Sequence, residues 1–190
     1  MPIDDRRERE RAARRRLIVT TARTLAEAEG WDAVTTRRLS TEIEYSQPVL
    51  YKHFSGMDRV AEAVAIDGFA ELADALREAR AGARALSDVP LALARAYLDF
   101  ARDNPAVYDA MFTRATALRF AAEDTPAPLI EAFAELRHGV SGAADVVDAD
   151  ARSEVFWAGL HGLATLTRGG RLRPGHESER LRMLVDGLTR

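Results

Sequence analysis

Apolar positions recur every three or four residues along most of the chain, and alternating runs of five or more are nearly absent. That period predicts α-helix throughout. A first helix is expected over about 7–29, where Leu17, Thr21, Leu25 and Ala28 share a stripe with Ile18 and Ala22 beside it. Gly30 follows where a left-handed residue closes a helix. Thr35 can cap a short second helix ending near Ile43, and Ser46 a third ending near His53 or Phe54. Gly56 opens a long fourth helix to about Ala81, with Val60, Val64, Leu72 and Leu76 on its apolar side. Further helices are expected over 91–103, 106–113, 129–140, 149–168 and 177–188, with a proline-containing loop over 121–128 and a Gly/Ala/Asp linker before 149. The fold expected is all-α with about nine helices: a three-helix helix-turn-helix head over 1–56, then a helical effector-binding and dimerisation domain over 57–190.

The stretch from Thr35 to Phe54 places two short helices about three residues apart. Leu39, Ile43, Val49 and Leu50 are set to pack between them and against the first helix. Pro48 takes the second helical position, where its missing N–H costs nothing, so the Ser46 hydroxyl is expected to accept from the Val49 amide. Gln47, Tyr51, Lys52 and His53 then crowd polar donors onto a helix barely two turns long. Such a helix suits a major groove flanked by phosphates, although a merely solvated face has the same composition. Arg37 and Arg38 stand in a helix's first turn, where cations oppose the macrodipole. A docked phosphate would reverse that penalty for Arg37, whereas Arg38 is expected to pair with Glu42 four residues on.

Composition changes the picture little. Residues are 47% hydrophobic and 30% charged, enough for a core and a solvated surface. The net charge of −3 runs against a nucleic-acid partner, but it is unevenly placed: residues 1–60 carry +2 and the rest −5. There is no cysteine, which excludes disulfides, a thiolate nucleophile and cysteine-based metal sites, and fits a cytoplasmic location. The charged start is not read as a signal peptide, and no apolar run approaches the roughly 20 residues of a membrane helix.

The order Gly30-Trp31, Thr35-Thr36-Arg37, Leu39-Ser40 and Ser46-x-x-x-Leu50-Tyr51-x-His53-Phe54 closely resembles the TetR/AcrR family of regulators. The resemblance implies a homodimeric, sequence-specific DNA-binding transcriptional repressor on a pseudo-palindromic operator, released by a small-molecule effector and needing no cofactor. By position it implies backbone contacts from Thr35 and Arg37, with Ser46 capping the helix. Gln47, Pro48 and Lys52 would face base edges or nearby phosphates, Tyr51 and His53 would clamp phosphates, and Phe54 would lie in the core. Two positions depart from the family pattern. The small residue and glycine usual in the turn are Ile43 and Glu44, and Met57 stands where a phosphate-binding lysine is usual, with Arg59 as a substitute nearby. The arginines from Arg6 to Arg16 admit two readings: a segment near flanking phosphates, as such segments can be in the family, or a solvated helix start partly neutralised by Glu8 and Glu10.

Downstream, Ala158, Gly159, Gly162 and Leu163 make a small-residue stretch that costs helix propensity, about 1 kcal/mol per glycine. With Leu181, Leu184 and Leu188 it is expected to form a dimer interface as a four-helix bundle. The Trp157-x-x-x-His161-Gly162 spacing resembles a C-terminal domain type of a TetR subgroup named for those residues. Trp157 and His161 could line an effector cavity with Tyr97, Phe100, Tyr108 and Phe112, or pack as an ordinary core. Glu135-x-x-His138 has half the spacing of a di-iron site but no second pair, so it is read as surface, and the chain is not expected to be an enzyme. The competing reading is a helical partner-binding or scaffold protein of the same fold that has lost DNA binding.

Overall fold

The first helix begins earlier than its apolar stripe requires, because alanine, arginine and glutamate sustain a helix without burying anything. The computed structural model describes residues 3–115, 117–140 and 148–189. Among these it contains nine α-helices and no strand. They are α1 (Ile3–Glu29), α2 (Thr36–Glu42), α3 (Gln47–Tyr51), α4 (Met57–Ala81), α5 (Val89–Asp103), α6 (Pro105–Asp109), α7 (Ala127–Val140), α8 (Ala149–Arg168) and α9 (Glu177–Thr189). Most of the linker expected before Ala149 lies outside the described residues. The single helix expected over 106–113 is instead α6 followed by a π-helical turn, Ala110–Arg114.

Two compact units form. The first takes Met1–Gly68 and Asn104–Ala121, the second Phe69–Asp103 and Ala122–Arg190. In the first, α1 packs on α2 and α6 and buries Ile18, Ala22, Leu25 and Ala26. Their i, i+4, i+7, i+8 spacing is the amphipathic period seen in the sequence. The start of α6 is capped from a distance: Glu27 accepts from the Ala106 and Val107 amides at 3.1 and 3.0 Å. The indole N–H of Trp31 donates to the Ala106 carbonyl at 2.8 Å, and Arg23 donates to Asn104 at 2.9 Å. Arg114 lies 5.6 Å from the Trp31 ring centroid and bonds Asp109 at 2.8 Å.

In the second unit, α5 packs on α7, α8 and α9, and α8 packs on α7 and α9. Leu93, Tyr97, Leu129, Leu136, Phe156 and Leu160 are its buried centre. Glu135 is a correction to the expected surface position: it is buried, because α7 lays it against two arginines of α4. Arg80 holds it at 2.8 Å and Arg77 at 3.4 Å. Burial would raise the carboxyl's pKa, but these cations outweigh it and hold the group below the usual glutamate range. His138 is exposed, and no group of three or more metal-ligating side chains occurs among the described residues. No helix among them is long and apolar enough to cross a membrane.

Candidate nucleic-acid interface

Local chemistry builds the reading head. Thr35 is extended and its hydroxyl accepts from the Arg38 amide at 3.2 Å, so the expected cap on α2 forms. The helix ends in a Schellman motif, in which the Tyr45 amide donates to the Ser40 carbonyl and the Glu44 amide to the Thr41 carbonyl, at 3.0 and 3.3 Å. Closing that motif puts Glu44 at φ 56°, a left-handed conformation that costs a side-chain-bearing residue about 1–2 kcal/mol. Leu39, Ile43 and Leu50 are buried and Val49 half-buried beneath this turn.

Ser46 stands at the N-cap of α3 with Pro48 at the second helical position, as expected. Its hydroxyl makes no cap bond, however. The Val49 amide donates to the Ser46 backbone carbonyl at 2.9 Å, so a tight turn satisfies the donor and leaves the side chain exposed. The α-helix stops at Tyr51, and Lys52 and His53 continue as a turn whose amides reach back to Val49 and Leu50. Gln47, Pro48, Tyr51 and Lys52 are consequently exposed together, and Tyr51 keeps 54% of its surface in solvent. Thr35 and Arg37 are exposed as well. Arg37 makes no ion pair among the described residues, whereas Arg38 is held by both Glu42 and Glu29 at 3.0 Å. Arg59, near Met57, is paired with Glu62 at 2.6 Å.

One residue of the arginine run fixes the edge of this surface by a contact inside the chain, which neither reading of the run included. Arg15 stacks its guanidinium 4.2 Å from the Phe54 ring centroid and donates to the His53 carbonyl at 3.2 Å. Phe54 is buried as expected, and Arg15 pins the end of the reading segment to α1. Half-buried His53 has a pKa held below the usual histidine range, first by burial and then by Arg11, Arg14, Arg15 and Lys52. Positive charge from α1 and from the reading segment therefore converges on one imidazole.

The six residues expected to line an effector cavity fall into both units. Tyr97, Phe100, Trp157 and His161 belong to the second, and Tyr108 and Phe112 to the first. Within the second, the Trp157 indole donates to the Tyr97 hydroxyl at 3.1 Å, and Phe133 meets Trp157 edge-on with centroids 6.5 Å apart. His161 is half-buried, and burial foremost lowers its pKa. Within the first, the rings of Tyr108 and Phe112 lie 4.7 Å apart. The stretch expected at a dimer interface serves partly inside the chain. A methyl on Gly159 would come within 2.6 Å of Leu184, and Leu181 is buried in its own unit. Leu163, Leu184 and Leu188 are half-buried, Ala158 is exposed and Gly162 faces open space. Val155, Leu166 and Met183, absent from the expected set, are exposed too.

The fold and this surface together define a helix-turn-helix protein with a basic, polar reading face. Residues 18–64 match the model for bacterial regulatory proteins of the tetR family, and 91–188 match a tetracyclin repressor-like C-terminal domain. The second match contains Trp157, His161 and Gly162. The chain is 31% identical over 162 residues to an uncharacterised HTH-type transcriptional regulator of Mycobacterium tuberculosis, covering 82% of this chain and 71% of that one. It is 33% identical over 99 residues to another from Bacillus subtilis, covering 50% and 49%. Among solved structures it superposes on a Rhodococcus sp. RHA1 protein of unknown function with TM-score 0.73 and 25% identity, over 93% of this chain and 95% of that one. RolR in complex with resorcinol shares the fold at TM-score 0.70 and 16% identity, over 95% and 89%. The chain belongs to the TetR family and is a DNA-binding transcriptional regulator.

Proposed function

We propose that the chain is a repressor that binds a pseudo-palindromic operator as a homodimer and is released by a small-molecule effector. The observation that carries the DNA contact is the exposed row Gln47, Pro48, Tyr51 and Lys52, presented by a helix whose opposite side is buried through Leu50. In this reading Gln47 and Pro48 meet base edges, Lys52 meets base edges or phosphates, and Tyr51 and His53 clamp phosphates. Thr35 and Arg37 reach the backbone at the start of α2, where Arg37 makes no ion pair among the described residues. Residues 1–56 are the reading domain and 57–190 the effector and dimerisation domain.

Two heads would occupy successive major grooves about 34–36 Å apart. The apolar surface that α8 and α9 leave exposed, at Val155, Ala158, Leu166 and Met183, is the dimer face, flanked by half-buried Gly162, Leu163, Leu184 and Leu188. Within the second unit, Tyr97, Phe100 and Trp157, with His161, suit an apolar or aromatic effector. RolR, solved with resorcinol, carries an aromatic ligand on the same fold.

The test is selection of duplexes from a random pool by the full chain, followed by a salt titration of the selected site. Log affinity should fall against log salt with a slope near −0.9 per neutralised phosphate. Tyr51→Phe should weaken binding to all sequences alike, and Gln47→Ala should relax preference at one base position. Selection that enriches no sequence, with a flat salt response, would support a scaffold that has lost DNA binding.

A further inference from the structure

All but one of the 27 lysine and arginine residues are arginine, and the exception is Lys52. The single side-chain amine of the sequence therefore stands in the reading segment, one residue past the end of α3. Its backbone is fixed: the Lys52 amide donates to the Val49 carbonyl at 3.2 Å, and the next two amides reach back to Leu50. Its side chain is exposed and makes no hydrogen bond or ion pair among the described residues.

A lysine at this place differs from an arginine in its chemistry. A guanidinium stays protonated and holds a phosphate in a planar fork, whereas an ammonium is a point charge that loses its proton and then acts as a nucleophile. Acylation turns that nitrogen into a neutral amide, and the cation is gone. Lys52 also stands in strongly cationic company. Arg15 of α1 bonds the carbonyl of the adjoining His53 at 3.2 Å and stacks on Phe54. The charges of Arg11, Arg14, Arg15 and Lys52 all reach the His53 imidazole. A field of one sign concentrates counter-ions where it acts. An acyl donor that carries a phosphate is drawn to such a place, and an uncharged one is not.

We propose that Lys52 is an acylation site, taking its acyl group from a small acyl phosphate, and that this modification weakens operator binding. The inference rests on the reading of this head as DNA-binding and adds a covalent control to it. In the reaction the lysine nitrogen attacks the acyl carbon, the C–N bond of the amide forms and the C–O bond to phosphate breaks. Inorganic phosphate leaves with the electron pair. The ammonium nitrogen gives up two protons, one to water and one to that phosphate, and nothing is oxidised or reduced. The product lacks one positive charge at a position that would face base edges or phosphates, so fewer counterions are released on binding. Repression would then answer to the supply of activated acyl groups as well as to an effector.

The test treats the full chain with acetyl phosphate, maps acetyl groups by peptide mass spectrometry, and titrates salt on a duplex the chain has selected from a random pool. Lys52 should be acetylated. At constant ionic strength, inorganic phosphate should slow that reaction but not labelling by uncharged phenyl acetate. The acetylated chain should bind more weakly, with a salt slope smaller by about 0.9 for each modified head. Lys52→Arg has no side-chain amine, so its binding should be the same before and after treatment. An unmodified Lys52 would overturn the inference, as would acetylation that phosphate does not slow, or acetylation that leaves affinity and salt slope unchanged. A parent that binds no duplex in a salt-dependent way, yet takes acetyl at Lys52, would instead remove the DNA-binding reading, while the acylation site itself would stand.

Discussion

His53 shows what the cationic surroundings of a single side chain imply. Burial and the nearby Arg11, Arg14 and Arg15 from α1 and Lys52 from the reading segment hold its pKa below about 6.5 in the free chain. The unfolded chain therefore takes up this proton more readily, so the site's contribution to stability is present above the unfolded pKa and lost as pH falls through the folded one. A phosphate docked on the imidazole would reverse the bias and favour the charged form. DNA affinity should thus strengthen as pH falls through the histidine range, by at most tenfold per pH unit for one proton at each site. His53→Gln should flatten that dependence when binding is titrated at several pH values, and an unchanged slope would remove the phosphate contact from His53. Glu44 is a second residue whose conformation matters. Its sequence position, where the family has a glycine, already pointed to strain, and its φ of 56° places it in the left-handed region. The Ser46 hydroxyl was less legible, because the carbonyl of the same residue takes the donor that the side chain was expected to cap.

Helices were readable from their periods, and their ends less so. The apolar stripes located α4, α8 and α9 closely because their buried positions repeat along one face. The start of α1 was misplaced, since the side chains from Asp5 to Leu17 are exposed and leave no amphipathic stripe. The start of α6 was expected at Ala106, one residue from the Pro105 where it begins, but the cap that holds it was unreadable. Asn104, its local N-cap, makes no side-chain cap bond, and the amides are satisfied by Glu27, some eighty residues away in sequence. Such a cap exists only once α1 and α6 have packed. Glu27→Ala should leave both amides without their acceptor and cost about 1 kcal/mol, within the range measured for caps. Hydrogen exchange should quicken at Ala106 and Val107 while the amides of α8 keep their protection. Unchanged exchange at those two positions would show that the cap contributes nothing. The burial of Glu135 was hidden in the same way, because its partners Arg77 and Arg80 belong to another helix.

For the molecule as a whole, the sequence conveyed class and family more readily than assembly. The all-α fold and the helix-turn-helix follow from short-range patterns in a contiguous segment. The dimer face depends on what a second copy would cover, and small residues alone do not say so: Gly159 is spent on Leu184 within the chain, while Gly162 opens to space. If α8 and α9 form the dimer face, Met183, which is 70% exposed, becomes buried against the second copy. Met183→Asp should then shift sedimentation toward monomer and weaken operator binding, because each half-site contact would no longer be reinforced by the other. Its effect on the stability of the separate chain should stay within about 0.5 kcal/mol, as for exposed sites generally. A variant that remains fully dimeric would place the interface elsewhere.

The chain holds two tryptophans, and each compact unit has one. Trp31 bonds the Ala106 carbonyl and lies beside the Arg114 guanidinium, whereas Trp157 bonds a tyrosine hydroxyl and meets Phe133 edge-on. Their intrinsic fluorescence therefore provides two built-in reporters in chemically different surroundings. With Trp31→Phe the remaining tryptophan emission comes from the second unit alone, and with Trp157→Phe from the first, so the melting of each can be followed by its own light.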